Sequence, residues 1–146
     1  MTLTGLGLKF SSIVLQYADS ATRVVMSVLG AVGFEQTASL LHDVKLLLTA
    51  VMTSLIVWIV GLAVPVTASY IICAVIAAPA LMQLGVADYA AHMFIFYYAV
   101  LSEVSPPTAL SPFAAAAITG GDPYKTTLQS WKYTMPAFLE IGRAHV

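Results

Sequence analysis

The chain has 146 residues, of which 60% are hydrophobic and 9% carry a formal charge. Soluble domains carry about 25% charged residues, so this composition excludes an ordinary soluble domain and is typical of an integral membrane protein. The net charge is −1 and no basic run is interleaved with aromatic residues, so the sequence gives no basis for nucleic-acid binding.

Residues 1–43 divide into two parts by composition. Residues 2–17 are apolar with small residues, and we predict the end of a packed membrane element there. Residues 18–43 carry Asp19, Arg23 and Glu35 among valines at helical spacing, which predicts an amphipathic helix. Such a helix lies in the membrane interface or links two spans.

Residues 46–87 contain no Asp, Glu, Lys or Arg. One straight span needs about 20 residues, so this run predicts two passes at membrane depth or a helical hairpin over residues 44–82. We expect its first helix over residues 44–64 and its second over residues 68–82. Pro65 ends or kinks the first helix because it lacks an N–H and its ring clashes with the preceding turn.

The second half of the chain is predicted to hold a broken helix and a final helix. Residues 88–103 are helical and rich in aromatics, "VSPPT" interrupts them, and a shorter apolar helix continues to residue 118. "TGGDP" is a strong turn signal, and the final helix is expected over residues 123–139. Trp131, Lys132 and Tyr133 are residue types that anchor helices at the lipid interface.

Two helix breaks, "GLAVPVTASY" (61–70) and "SEVSPPTALSP" (102–112), are rich in hydroxyl groups. In hydrocarbon an unpaired backbone group costs several kcal/mol, so a break persists only where protein or a wet cavity satisfies it. A broken helix frees carbonyl groups that hold a cation and N–H groups that hold an anion. Two such breaks predict the binding site of a secondary transporter.

Hydroxyl oxygens and one carboxylate at the second break are candidate ligands. Ser102, Ser105, Thr108 and Ser111 supply hard oxygen donors suited to an alkali cation, and Glu103 is the formal charge at membrane depth. The structural alternative is that these side chains bond their own helix and that the prolines only kink it.

Residues 61–139 resemble the C-terminal part of the large membrane subunit of TRAP transporters. Four motifs stand in the family's order: "GLAVPVTASY", "LGV", "AAHMFIFYY" and "SPP". "LTGLGLKFS" near the start is also similar to the family. The resemblance covers residues 3–12 and 44–139, looks most like the TAXI branch, and leaves residues 18–43 divergent.

The resemblance implies that residues 44–82 form a re-entrant hairpin with its tip near residues 65–69. Residues 88–118 would be the facing broken helix, and both would belong to the moving domain of an elevator-type transporter. The resemblance assigns binding roles to Thr67, Ser69, Ser105 and Thr108, with sodium at Thr67, Ser105 and Thr108, and shaping roles to Gly61, Pro65, Pro106 and Pro107. Serine stands at position 105 where the commoner motif has threonine, which keeps the hydroxyl group.

The same resemblance implies the setting and the partners. The chain would be an all-α, multi-pass protein of the inner membrane that takes up a small organic acid together with sodium, with no other cofactor. An extracytoplasmic solute-binding protein would deliver the substrate. A small membrane subunit, separate or fused as is common in the TAXI branch, would complete the permease.

Both ends of the chain suggest a fragment. The family completes its site with a first inverted repeat, which this sequence lacks, so residues 44–139 are expected to be the C-terminal part of the transport domain. The last seven residues, "EIGRAHV", match the translation of a common sequencing adapter. We therefore expect the native sequence to end at about Leu139 and residues 140–146 to be a non-native tail.

Two rival interpretations are an intramembrane protease and a purely structural membrane subunit. "TGGD" has Thr where an aspartyl protease motif has its first glycine, and it is typical of a turn. His92 and Ser102 lie ten residues apart on one predicted helix, about 15 Å along its axis, so they cannot form a catalytic pair. A structural or assembly subunit would carry no transport site of its own and would show no ion dependence.

Overall fold

The computed structural model describes residues 2–31 and 37–140, and within them it contains α-helices and no strand. The six helices are α1 (Thr2–Ala31), α2 (Ala38–Gly61), α3 (Val66–Gln83), α4 (Asp88–Ser102), α5 (Leu110–Thr119) and α6 (Pro123–Glu140). The all-α class predicted from the sequence is therefore confirmed for the described part of the chain. The predicted tail enters α6 at residue 140, and its residues 141–146 lie outside the described residues.

The N-terminal region differs from the prediction of two separate parts, because residues 2–31 form one continuous helix. Asp19 does not interrupt α1, since its carboxylate pairs with the Lys45 ammonium group of α2 at 2.7 Å. Residues 38–43, which were predicted to belong to the connecting segment, are the first residues of α2, which begins at residue 38 rather than 44. Glu35, in the middle of that segment, lies outside the described residues.

Helices α2 and α3 form the predicted hairpin, and each is long and apolar enough to cross a membrane. The turn between them occupies residues 62–65, slightly before the tip expected at residues 65–69. Pro65 is the cap residue at the start of α3 rather than a kink in α2. A helix start suits proline because the first N–H groups of a helix have no intrahelical partner.

Helices α2, α3 and α4 enclose the main core. Its buried members are mostly small or β-branched, which lets helices approach closely. The core residues are Val57, Cys73, Ala77, Ala78, Leu81, Ala91, Phe94, Ile95 and Ala99. Helix α1 packs across α2 and α3, and the Ser11 hydroxyl donates to the Ile76 carbonyl of α3 at 2.8 Å.

The closest approach in this core is at the end of α2. A Cβ atom added to Gly61 would lie 2.7 Å from the Cβ of Ser102 on α4 and nearer still to its hydroxyl. Ser102 is fully buried and donates to the Ala99 carbonyl at 2.6 Å. The hairpin turn and the end of α4 are therefore held in direct contact, and only glycine fits at position 61.

The predicted broken helix is present as α4 and α5, separated by residues 103–109. Helix α5 ends at Gly120, which has φ of +71°, and the Gly121 N–H bonds back to the Ala116 carbonyl. Asp122 then caps α6 by accepting from the Lys125 N–H at 2.8 Å. The predicted "TGGDP" turn is thus a helix stop followed directly by a helix start, and α5 packs against α6.

Gly61→Ala is expected to destabilise the fold by about 1–3 kcal/mol, the usual penalty for forcing a methyl group into a filled core. The measurement is the thermal unfolding midpoint of the purified chain in detergent. Gly5→Ala is the matched control, because a Cβ at Gly5 meets nothing within 4 Å. Adding Ser102→Gly to Gly61→Ala removes both clashing atoms and should restore part of the loss. Equal midpoints for the Gly61 and Gly5 variants would contradict the close contact.

Candidate functional site

The hairpin turn and the helix break meet at a groove. It has a volume of about 220 Å³ and is bordered by the α2–α3 turn on one side and by the α4–α5 break on the other. The lining residues are Gly61, Leu62, Ala63, Val64, Pro65, Glu103, Thr108 and Leu110. The two hydroxyl-rich breaks that the sequence places 40 residues apart therefore share one cavity, called the break groove below.

Several backbone carbonyls at the α4–α5 break accept no backbone hydrogen bond. The N–H groups of Glu103, Val104 and Ser105 bond the carbonyls three residues earlier, which tightens the last turn of α4. The Ala109 N–H bonds the Ser105 carbonyl. Within the described residues no backbone N–H bonds the carbonyls of residues 106–108, so these oxygens are free to accept from water or to bind a cation.

Helix α5 begins from an unusual backbone position. Ala109 has φ of +32° and ψ of +52°, the left-handed region that residues with a side chain rarely adopt. This conformation turns the chain sharply, so that α5 starts immediately after the prolines. Within the described part of the chain the N–H groups of Thr108, Leu110 and Ser111 bond no backbone carbonyl, and they form the positive end of the half-helix.

Glu103 is the charged group of the break groove. It lies at the C-terminal end of α4, is half-buried, and its carboxylate faces the start of α5. The Ser111 hydroxyl donates to Glu103 Oε2 at 3.4 Å, a long contact that crosses the break. Glu103 therefore joins the two half-helices and still keeps acceptor capacity toward the groove.

Three of the four predicted serines, Ser69, Ser102 and Ser105, are fully buried and donate to carbonyls of a neighbouring helical turn, whereas Ser111 is exposed. Ser69 donates to the Val66 carbonyl at 2.9 Å and Ser105 to the Leu101 carbonyl at 2.9 Å, and Ser102 is bonded in the same way. Each hydroxyl uses its proton in this bond and keeps its lone pairs. The three buried serine side chains are therefore packed in the protein interior next to the breaks.

The structure brings only part of the predicted set into the groove itself. Gly61, Pro65, Glu103 and Thr108 line it, whereas Thr67 is exposed on the first turn of α3 and does not. Pro106 and Pro107, joined by a cis peptide bond, lie in the break beside α5 and α6 rather than in the groove lining.

Sequence reasoning missed the apolar wall of the groove, formed by residues 62–64 and Leu110. Residues 62–64 precede Pro65 directly, and a proline that starts a helix requires a turn just before it. That signal was available in "GLAVP".

The residues considered for catalysis have structural partners. Tyr70 and His92 share a hydrogen bond of 3.1 Å through Nδ1, and His92 Nε2 lies 3.4 Å from the Asp88 carboxylate. His92 and Ser102 occupy the same helix α4, ten residues apart. Asp122 caps α6. Over residues 2–31 and 37–140 no group of three or more His, Cys, Asp or Glu side chains is placed to hold a metal ion.

The reactivity of introduced cysteines measures the access of water to the break groove. A thiol reacts as its thiolate, and a thiolate forms readily only where water reaches the sulfur. Thr108→Cys and Ala63→Cys are expected to react with a water-soluble maleimide on the order of tenfold faster than Ser105→Cys, whose reaction requires local opening. The rate is measured by mass shift of the membrane-reconstituted chain, in which Cys73 is buried.

Ile59→Cys is the control, because Ile59 is 59% exposed but lies on the apolar outer face of α2, where lipid rather than water is expected. Reaction of Ile59→Cys as fast as Thr108→Cys would show that the groove is no wetter than the lipid-facing surface.

Comparison with known proteins identifies the family of the chain. The sequence model of the family "Tripartite ATP-independent periplasmic transporter, DctM component" matches residues 1–141, which includes residues 18–43 that looked divergent. No curated protein and no solved structure matches the chain. The TRAP resemblance is confirmed at the level of the large component: the chain belongs to the DctM family, the large membrane component of tripartite ATP-independent periplasmic transporters.

Proposed function

We propose that the break groove is part of the transport site of a sodium-coupled permease that takes up a small organic acid. Membership of the DctM family makes the chain a component of a secondary transporter permease. The observation that carries the proposal is that two helix breaks, far apart in sequence, border one groove that contains a carboxylate, a hydroxyl group and unbonded backbone groups. Discontinuous helices that face each other are typical of such sites.

Sodium is proposed to bind on the carbonyl side of the break. Thr108 supplies hydroxyl and carbonyl oxygen atoms in the groove, the unbonded carbonyls of Pro106 and Pro107 lie in the adjoining break, and Glu103 supplies negative charge. Oxygen donors of this kind suit a hard cation. Of the hydroxyl groups that the resemblance assigns to sodium, Ser105 lies buried behind the groove and Thr67 lies exposed outside its lining, so they would act as ligands only after a local rearrangement.

The substrate carboxylate is proposed to lie near the start of α5. The free N–H groups there point to an anion, and the helix dipole favours negative charge at this end. Residues 46–124 contain no Lys or Arg, so no cationic side chain of this stretch is available to clamp a carboxylate. Backbone N–H groups, or side chains outside this chain, would make that contact.

The remaining partners follow from the family. A periplasmic binding protein and a small membrane subunit belong to transporters of this kind. We propose that the binding protein delivers the organic acid, that the small subunit completes the permease in the inner membrane, and that the hairpin and broken helix move together as an elevator domain. The Gly61–Ser102 contact, which couples the two breaks as one unit, supports such joint movement.

The test is sodium-dependent uptake by the intact permease with its partner proteins. Thr108→Val removes a hydroxyl ligand without changing volume, and Glu103→Gln removes the charge. Contacts to charged groups contribute about 1.5–3 kcal/mol, so each variant should lower uptake roughly tenfold or more and raise the sodium concentration for half-maximal rate. Surface expression must stay unchanged.

Thr119→Val is the matched control for Thr108→Val. Thr119 lies at the other end of α5, is exposed, and bonds its own helix through the Ala115 carbonyl. Wild-type uptake by both Thr108→Val and Glu103→Gln would exclude the groove as the site. Uptake that needs no sodium would overturn the proposed sodium coupling but not the proposed site. Absence of uptake by the wild-type permease would favour the alternative that the chain is a structural subunit without a transport site of its own.

A further inference from the structure

Three polar side chains join α3 to α4 outside the break groove. The Tyr70 hydroxyl on α3 lies 3.1 Å from His92 Nδ1 on α4. The other ring nitrogen, His92 Nε2, lies 3.4 Å from the Asp88 carboxylate one helical turn earlier on α4. None of the three lines the break groove. This arrangement of Tyr70, His92 and Asp88 is called the α3–α4 link below.

The chemistry of the three groups sets the direction of both contacts. An ionised carboxylate only accepts hydrogen bonds, so Nε2 of a neutral His92 ring carries the proton that faces Asp88. A neutral imidazole has a single N–H, so Nδ1 is then an acceptor and the Tyr70 hydroxyl is the donor. Asp88 therefore acts on Tyr70 through the imidazole ring, because it selects the tautomer that accepts the phenolic proton.

Ring contacts hold Tyr70 in the orientation that this hydrogen bond needs. The Tyr70 ring meets the His92 ring at 6.1 Å between centroids and the Phe96 ring at 5.7 Å, both edge to face. Aromatic rings attract each other in this geometry. His92 and Phe96 are four residues apart and so lie on the same side of α4. Tyr70 is thus packed along one face of α4 with its hydroxyl directed at Nδ1.

The rest of the contact between α3 and α4 is apolar. Small buried side chains such as Ala77, Ala78 and Ala91 contribute to it, and burial of apolar surface has no preferred direction. A hydrogen bond, by contrast, weakens steeply when its angle changes. Within the described residues, Tyr70 and His92 form the side-chain hydrogen bond that joins α3 to α4. The α3–α4 link therefore defines the rotation of α3 on α4 more closely than the apolar contact does.

The link attaches the second arm of the hairpin to α4 near the hairpin turn. Tyr70 lies five residues after Pro65, which caps α3 and lines the break groove. The first arm is attached to α4 by the contact of Gly61 with Ser102. The turn at residues 62–65 is therefore connected to α4 through both arms, and α4 ends at the break on the other side of the groove.

We propose that His92 is a positioning residue of the transport site, which it supports by holding α3 in place on α4 through Tyr70. The proposal rests on the proposed function, because it assigns His92 to the same groove. With the link formed, the turn at residues 62–65 is already placed opposite Glu103 and Thr108 when sodium arrives. Without it α3 rotates on its apolar contact, and ordering the groove then opposes sodium binding.

Nitrogen NMR tests the link without any transport measurement. The 146-residue chain is prepared in detergent with isotopically labelled histidine, under mildly alkaline conditions in which imidazole rings are neutral. The His92 signals are assigned as those lost in His92→Asn. Tyr70→Phe is expected to shift chiefly the Nδ1 signal, and Asp88→Ala chiefly the Nε2 signal. Tyr97→Phe is the control, because Tyr97 is exposed on another face of α4.

Sodium-dependent uptake by the intact permease with its partner proteins tests the positioning role. Tyr70→Phe and His92→Gln should raise the sodium concentration for half-maximal uptake about fivefold, the factor given by one hydrogen bond of ordinary net strength. The maximal rate and surface expression should stay unchanged, as they should throughout for Tyr97→Phe.

The two His92 variants separate the hydrogen bond from the loss of the ring. His92→Asn is expected to stay near the wild-type value, because an asparagine oxygen can lie where Nδ1 lies and accept from Tyr70. The longer side chain of His92→Gln places its amide near the position of Nε2 instead. Equal losses in the two variants would overturn the positioning role. If both variants fail to express, Tyr70→Phe decides, since it keeps both rings.

The outcomes also separate this proposal from the proposed function. Wild-type sodium dependence in Tyr70→Phe and His92→Gln, combined with the loss expected for Glu103→Gln, would overturn the positioning role and leave the groove as the transport site. His92 signals that do not move in Tyr70→Phe would overturn the link itself. Wild-type uptake by both Glu103→Gln and Thr108→Val would exclude the groove, and the positioning role with it.

Discussion

The contact between Gly61 and Ser102 is the constraint on which the rest of the structure depends. It brings the last turn of α2 against the last turn of α4 with no room for a further methyl group. Because both helices end there, the α2–α3 turn and the α4–α5 break are forced to the same place. The break groove lies beside this contact, which together with the core between α2, α3 and α4 holds the two segments next to each other.

The N–H and carbonyl groups at the ends of these helices find hydrogen-bond partners in different ways. The end of α4 tightens by bonds to carbonyls three residues earlier, and the hydroxyls of Ser102 and Ser105 donate to carbonyls of α4. Pro65 begins α3 without needing a partner for an N–H, and Asp122 caps α6. At the α4–α5 break the N–H groups of residues 108, 110 and 111 bond no described backbone group, as is usual before and at a helix start, and neither do the carbonyls of residues 106–108. These unbonded groups lie at the break where a transport site is proposed.

Several features were predictable from the sequence because they depend on local patterns. The run 46–87 carries no charged residue and is about twice the length of one membrane span, which predicted the two apolar helices that the structure contains. The proline pair marked the second break, and the order of motifs indicated the family that the DctM match confirms. Glu103, Thr108, Gly61 and Pro65 were named from the sequence and line the groove.

The placement of the other features required the folded chain. The sequence alone determined that the protein is helical, apolar and broken within residues 61–70 and 102–112, because hydropathy and proline act within a few residues. Only the tertiary structure decided that Ser69, Ser102 and Ser105 face the packed interior while Thr108 faces the groove, because helix rotation is set by neighbouring helices. It also decided that α1 continues through residues 18–31, where Lys45 of another helix neutralises Asp19. Long-range contacts of this kind leave no periodic signal in the sequence.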